Sequence, residues 1–356
     1  MPCVDKHFLD SGAFSQRAKS RVFKKKEHKS EWDYYKTDAF KEYRRKYVKF
    51  LKKHSSIIDY YANIDAIGND KLSYENQKWL EKKGLSPVPV VHFDPKRNMR
   101  YLQKYIDEGH RLIGLGGMVI RGSQLKATED WLDCCFSIAK KYSDLKFHGF
   151  GITKHELLVK YPWFSTDSTT WIKRGAFGEI LVPRLINKKF IFCRDNVEGI
   201  AKLVQPYIFA VSEEHSRIKS VEQRMLKEGK FKKEALVRVK KSKRSRILER
   251  VSRGQEKNIL TWLEYIGVDA NKLATDNAER VKANLRFFYE FAKALPQRPW
   301  PLTIFFSGGG AEEYIDKAIS IMMSFYPSRN KPEQRLLNLY TYKTQNTYTV
   351  NYEIKM

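Results

Sequence analysis

From residue 7 to residue 169 the chain alternates short β-rich runs with segments of helical spacing, and the runs end on polar or glycine-containing tips. The runs are HFLDSGAFS (7–15), SIIDYYANIDAIG (56–68), VPVVHFD (88–94), RLIGLGG (111–117), LKFHGFGI (145–152) and WFSTDST (163–169). Between them lie RNMRYLQKYIDEG (97–109), TEDWLDCCFSIAKKY (128–142) and TKHELLVKY (153–161). WPLTIFFSGGG (300–310), running into AEEYIDKAISIMMSFY, repeats the style late in the chain. Such alternation predicts parallel β, because parallel neighbours need a crossover segment between them. Asp10, Asp65, Asp94, Gly116, Gly151, Asp167 and Gly308 all fall at strand ends. That distribution favours a (β/α)8 TIM barrel, whose site is assembled around one rim. A doubly wound open sheet would gather its site at a single switch point.

Past Asp167 the rhythm changes. GEILVPRLINKKFIFCRD (178–195) reads as two strands joined around LINKK, a β-hairpin insertion. Residues 212–297 read as mostly helical and open with a strongly basic stretch. The expected organisation is a first barrel part over 1–211, a basic helical insertion over 212–297, and a last barrel strand, helix and tail over 298–356. No Gly/Ser-rich or Pro-rich linker separates them, so the basic helices read as inserted rather than tethered. With 356 residues and 42% hydrophobic side chains, a large core is within reach.

Charge narrows the class of partner. The formal net charge is +26. Residues 17–53 carry fifteen Lys/Arg against five Asp/Glu, and residues 216–257 carry sixteen against five. Two concentrated basic blocks point to a polyanion, since releasing counterions from phosphates drives binding. Tyr34, Tyr35, Tyr43 and Tyr47 interleave the first block and suit either base stacking or core packing. No run reaches the roughly 18 apolar residues of a membrane span. The opening MPCVDKHFLD lacks a secretory signal's apolar stretch. Cys3, Cys134, Cys135 and Cys193 form no CxxC pair, which fits free thiols in a reducing cytoplasm.

Three acidic strand ends carry the chemistry: Asp10 in LDSGAF, Asp65 in NIDAIG and Asp167 in STDSTTW. Substitution at a sugar's anomeric carbon passes through an oxocarbenium-like state. One carboxylate near that carbon attacks or stabilises it while a second carboxyl moves protons. Strand-end Asp residues also cap helices and bind turn amides, so no single one is diagnostic. GLGGMVIRG (114–122) lacks the GxGxxG spacing, which argues against dinucleotide binding. Its Gly116 and Gly117 instead suit close backbone approach to a flat ligand. A metal-dependent hydrolase would have to draw ligands from His92, Asp94 and His148, a sparse set among eight scattered histidines. A nucleic-acid-binding barrel without chemistry is the other alternative.

Taken in order, LDSGAF, NIDAIG, GLGGMVIRG, FHGFGITKHELL and STDSTTW resemble the motifs of the tRNA-guanine transglycosylase superfamily, over roughly residues 7–195. The resemblance implies a (β/α)8 barrel that exchanges guanine in nucleic acid for a 7-deazaguanine, a free base such as the 7-cyano form. It implies that Asp167 is the nucleophile and Asp10 the general acid/base. Ser11 and Gly12 continue the Asp10 motif. Phe14 would stack on the base and His148 would stand at the opposite face. Asp65 would read the Watson–Crick edge, with the Gly117 and Met118 backbone donating to the exocyclic oxygen and Gly116 beside them at the base. Lys173 and Arg174 would touch phosphate near the flipped nucleotide, and Lys240, Lys241, Lys243 and Arg244 would grip the backbone. The tRNA enzymes of the family carry a Cys-x-Cys-x-x-Cys…His zinc site after the nucleophile. Past Asp167 this chain has only Cys193, so no zinc and no other cofactor is expected. The pattern is most similar to the phage-type DNA branch, which would make DNA the partner, tRNA the alternative, and a host cytoplasm the location.

Replacing Lys240, Lys241, Lys243 and Arg244 together by alanine is expected to weaken DNA binding. The slope of log affinity against log salt should fall by about 0.9 for each phosphate that is no longer neutralised. An unchanged slope places the phosphate grip elsewhere.

Overall fold

The computed structural model describes residues 7–56, 58–118, 125–152, 154–195, 201–211, 253–273, 275–295, 299–300, 302–309 and 349–354. The basic run containing Lys240, Lys241, Lys243 and Arg244, and the helix expected after Gly310, lie outside them. The described chain belongs to two compact units. One draws on Met1–Thr169, Gln297–Glu313 and Ser328–Met356, the other on Thr170–Pro296 and Tyr314–Pro327.

The first unit is mixed α/β. Its strands are β1 (His7–Leu9), β2 (Tyr60–Tyr61), β3 (Val90–His92), β4 (Leu112–Gly116), β5 (Lys146–Gly149), β6 (Ser165–Ser168), and two late strands at Thr303–Gly309 and Thr349–Ile354. Its helices are α1 (Ala13–Glu27), α2 (Asp38–Lys53), α3 (Asp70–Glu81), α4 (Arg100–Asp107), α5 (Leu125–Ala139) and α6 (His155–Lys160). β3, β4, β5, β6 and the 303–309 strand form a five-stranded parallel run, and β1 is parallel to β2. The 349–354 strand lies antiparallel between β1 and the 303–309 strand, a departure from the all-parallel expectation. A single parallel bridge, Ala62 to Val88, links the end of β2 to the residues before β3.

Several β-rich runs supply less strand than expected. β1 stops at Leu9 because the next turn is held by a side chain: the Asp10 carboxylate accepts the Gly12 N–H at 3.1 Å. Gly12 has φ 70°, a left-handed value suited to glycine, and its carbonyl accepts the Gln16 N–H at 3.1 Å to start α1. After Ala62 the backbone of the second run likewise leaves the sheet, with the Ala66 N–H donating to Ser73 Oγ at 2.9 Å.

Local caps set the helices. Thr37 Oγ1 accepts the Phe40 N–H at 3.3 Å to begin α2, and Asn69 Oδ1 accepts the Leu72 N–H at 3.0 Å to begin α3. α2 spaces Phe40, Tyr43, Tyr47 and Leu51 on one face. Tyr34, Tyr35 and Tyr47 are buried there beside Ile64 and Leu80, with Tyr43 partly buried against them, so this face serves the core rather than base stacking. The basic residues Arg45, Lys46, Lys49, Lys52 and Lys53 lie off that face and are exposed.

Aromatic side chains fill the space under the strand ends. Phe8 stacks on His148 with centroids 4.3 Å apart, and Phe150 and Phe305 meet both rings edge-on or tilted. Glycines open the room for them. A Cβ on Gly114 would come within 2.4 Å of the Phe150 ring, and one on Gly149 within 2.7 Å of Ile152 and 2.9 Å of Trp163.

The second unit contains α7 (Thr170–Ala176), β7 (Glu179–Val182), β8 (Arg184–Ile186), β9 (Lys189–Ile191), β10 (Cys193–Asp195), β11 (Ala201–Leu203), β12 (Tyr207–Ala210), α8 (Arg253–Tyr265) and α9 (Asn277–Lys293). The expected hairpin is present as β8 and β9, turning at Asn187 and Lys188, whose φ values are 50° and 61°. β7 pairs with β12 and β10 with β11, both antiparallel, so 178–195 holds four short strands rather than two. Asn284 of α9 is buried. It accepts the Leu181 N–H at 2.9 Å and donates to the carbonyls of Glu179 at 3.0 Å and Trp171 at 3.3 Å.

Gly149→Ala is expected to destabilise the protein by about 1–3 kcal/mol through overpacking against Trp163 and Ile152. Gly254→Ala, on α8 with open space around it, should stay within about 1 kcal/mol of wild type or stabilise it. Denaturant midpoints check both.

Candidate active site

Asp10 directly follows β1, Asp167 is the third residue of β6, and Asp65 lies beyond the end of β2. The parallel topology therefore delivers all three to the carboxyl ends of their strands. They sit close enough to feel one another. Burial, then the negative charge of Asp167, then that of Asp65, push the Asp10 carboxyl up to about 7, while N–H groups of Gly12 and Ser11 oppose the rise.

Each carboxylate is fixed from outside. Asp167 Oδ1 accepts the Gly151 N–H at 2.6 Å, and His148 Nε2 lies 3.6 Å away. Gly151 has φ 66°, so the chain after β5 turns its amide toward β6 in a conformation that favours glycine. Ser11 is buried and its Oγ donates to Asp65 Oδ1 at 3.4 Å. The Tyr43 hydroxyl donates to the Ser11 carbonyl oxygen. The other Asp65 oxygen, Oδ2, meets His92 Nε2 at 2.7 Å, and His92 Nδ1 meets Asp70 Oδ1 at 2.8 Å. Burial by itself pushes the His92 imidazole down, but the hydrogen bonds and charges of Asp65 and Asp70 outweigh it and raise it to about 9.

The remaining expected residues divide. Phe14, on the first turn of α1, is 65% exposed, a large aromatic left open beside Asp10 and Ser11. Gly116 ends β4, its carbonyl accepting the Phe93 N–H at 2.8 Å, and Gly117 has φ 77°. Met118 is buried next to them. A Cβ on Gly117 would stand 3.4 Å from His92 Cβ, which sets this turn against the His92 cluster. His148 departs from expectation. It is 0% exposed, one ring face covers Phe8, and Nδ1 meets Ser165 Oγ at 2.9 Å. Its place on β5 faces it into the aromatic packing, with both faces and edge taken up by protein rather than open to a base. Lys173, in the second unit, is exposed, but the Arg174 guanidinium pairs with Glu179 at 2.9 Å.

His92 and Asp94 are engaged in other contacts. His92 is engaged through both nitrogens, and Asp94 Oδ1 accepts the Lys96 N–H at 2.9 Å in a turn. Among the described residues no group of three or more His, Cys, Asp or Glu side chains is placed to hold a metal ion. Among the same residues no helix is long and apolar enough to cross a membrane. Asp70 is a site residue that sequence reasoning does not single out. It stands in GND at a helix start, where capping by itself explains an Asp. Tyr43, legible only as a stacking or packing residue, also holds the Ser11 backbone.

Neither protein-family models, nor curated proteins, nor solved structures give a match to the chain.

The titrations set two pH windows that meet near neutrality. Asp10 shifts from 3.8 to about 7, so between these values the folded state holds the extra proton and stability falls as pH rises. His92 shifts from 6.5 to about 9, so its contribution is complete below the lower value and is lost through the upper one. Asp10→Asn is expected to remove the first decline, so that its stability relative to wild type rises from pH 3.8 to about 7. Parallel slopes for the two proteins across that window would contradict the assignment.

Proposed function

We propose that the chain exchanges guanine in DNA for a 7-deazaguanine through a covalent aspartyl–glycosyl intermediate. The observation that carries this reading is the coupling of Asp10 to Asp167, two strand-end carboxyls of which one is raised to about 7. Environments that separate two carboxyls in this way divide nucleophile from acid/base.

The target nucleotide is turned out of the stack so that C1′ reaches the strand ends. Asp167, oriented by the Gly151 N–H, attacks C1′. The C1′–N9 bond breaks, its electron pair passes to N9, and neutral Asp10 donates the proton, so guanine leaves uncharged. An incoming 7-deazaguanine then returns a proton from its N9 to Asp10. N9 attacks C1′, and the ester bond breaks toward Asp167. Two displacements retain configuration and leave the protonation unchanged. Phe14 is the base-stacking surface and Asp65 with Ser11 reads the edge. This chemistry uses no redox group.

The Ala62–Val88 bridge supports closure of the sheet into a (β/α)8-type barrel, since it joins the two ends of the eight-strand order. The exposed basic residues of α1 (Lys19, Arg21, Lys24, Lys25, Lys26) and of α2 supply phosphate contacts. DNA is favoured over tRNA because the sequence past Asp167 has one cysteine where the tRNA enzymes have a zinc site.

Asp167→Ala is expected to abolish both release of labelled guanine and incorporation of a 7-deazaguanine, with DNA and tRNA offered side by side. Normal exchange by that variant removes the residue from the nucleophile role. Tight DNA binding with no exchange and no trapped adduct in the wild type points instead to a binding protein.

A further inference from the structure

The exchange chemistry explains Asp10 and Asp167 but not the buried group behind Asp65. His92 is 3% exposed and lies between two carboxylates, Asp65 at 2.7 Å and Asp70 at 2.8 Å. The backbone N–H of His92 also donates to Asp70 Oδ1 at 3.3 Å. Asp70 is itself anchored in the first turn of α3, where the helix dipole favours a negative charge. Facing the same group from α4 is Tyr105, whose phenol is pushed up by burial and by the charges of Asp70 and Asp65, so it stays neutral. Holding a buried imidazolium between one buried and one partly buried carboxylate is costly, and an apolar cluster of similar volume would serve stability as well. What the arrangement gives is orientation.

Resting on the base-exchange reading, we propose that His92 is a positioning residue that clamps Asp65 by Oδ2, so that Oδ1, beside Ser11 Oγ, meets only a base edge made of hydrogen-bond donors. The cluster of two carboxylates and one imidazolium carries a surplus negative charge. A guanine-type edge, with its ring N–H and 2-amino group, complements that charge. An edge presenting a ring-nitrogen lone pair repels it, and hypoxanthine, lacking the 2-amino group, loses one of the two donors. A site built to hydrogen-bond a group rejects the analogue without it strongly, provided the acceptor is held still. His92 and Asp70 hold it still.

The test has two arms. In the first, His92→Gln and Asp70→Asn are compared with wild type for exchange of guanine and of hypoxanthine as free bases. His92→Gln is expected to raise the guanine KM by about tenfold or more, the loss typical of a hydrogen bond to a charged group. Its kcat should change far less, and the preference for guanine over hypoxanthine should shrink. Asp70→Asn should move the same parameters in the same direction by less. An unchanged guanine KM and base preference in a folded His92→Gln protein overturns the proposal. In the second arm, NMR of isotope-labelled histidine follows His92 in wild type and in Asp65→Asn. Both ring nitrogens should carry protons at about pH 7.5 in wild type, and the titration midpoint should fall in the variant. A neutral His92 in wild type, or a midpoint that does not move, also overturns it. A wild-type protein that exchanges no base removes the base-exchange reading, and the NMR arm then decides the clamp by itself.

Discussion

Burial of Asp10 beside the charges of Asp167 and Asp65 is the constraint on which the strand-end site of the first unit depends. A carboxyl taken out of water next to other negative charges resists ionisation unless hydrogen bonds answer it. The fold answers each differently. Asp167 receives the Gly151 amide, Asp65 receives an imidazole clamp, and Asp10 receives only weak backbone help and keeps its proton to about 7. Three like residues thereby become three unlike chemical groups.

The support for that division is apolar. Under Asp167, His148 is locked between Ser165 and the Phe8 ring, and Phe150 and Phe305 close the packing. Those rings fit only because Gly114 and Gly149 carry no side chain. Gly151 then turns its N–H onto the carboxylate. Strand, glycine, aromatic layer and acid form a continuous chain of cause, and a methyl group added at Gly149 would be felt at Asp167 through Trp163, Ile152 and the turn that carries Gly151.

The strand ends were the legible part of the chain. Asp10 and Asp167 are placed at strand ends by sequence rhythm alone, because the alternation of β-rich runs with helical segments marks where each run gives way to a turn. The hairpin at Asn187–Lys188 was equally legible, since a polar pair sat between two apolar runs. His148 was misleading for a definite reason. Alternation along a four-residue strand does not say whether an inward residue meets a ligand or another strand's ring, and Phe8 is far away in sequence. The tyrosines of the first basic block posed the same ambiguity, which the packing of α2 decided in favour of the core.

What the sequence determined by itself was the order of local elements and the set of acids delivered to one edge, because both follow from periodicity and turn chemistry over a few residues. Only the tertiary structure decided what each acid became. Which carboxyl keeps a proton, and which oxygen is tied to an imidazole, depend on charges and burial supplied by residues distant in sequence. The electrostatic energy between Asp10 and Asp167, or between His92 and Asp65 at 2.7 Å, exists only once folding has brought them together in a low-dielectric surrounding.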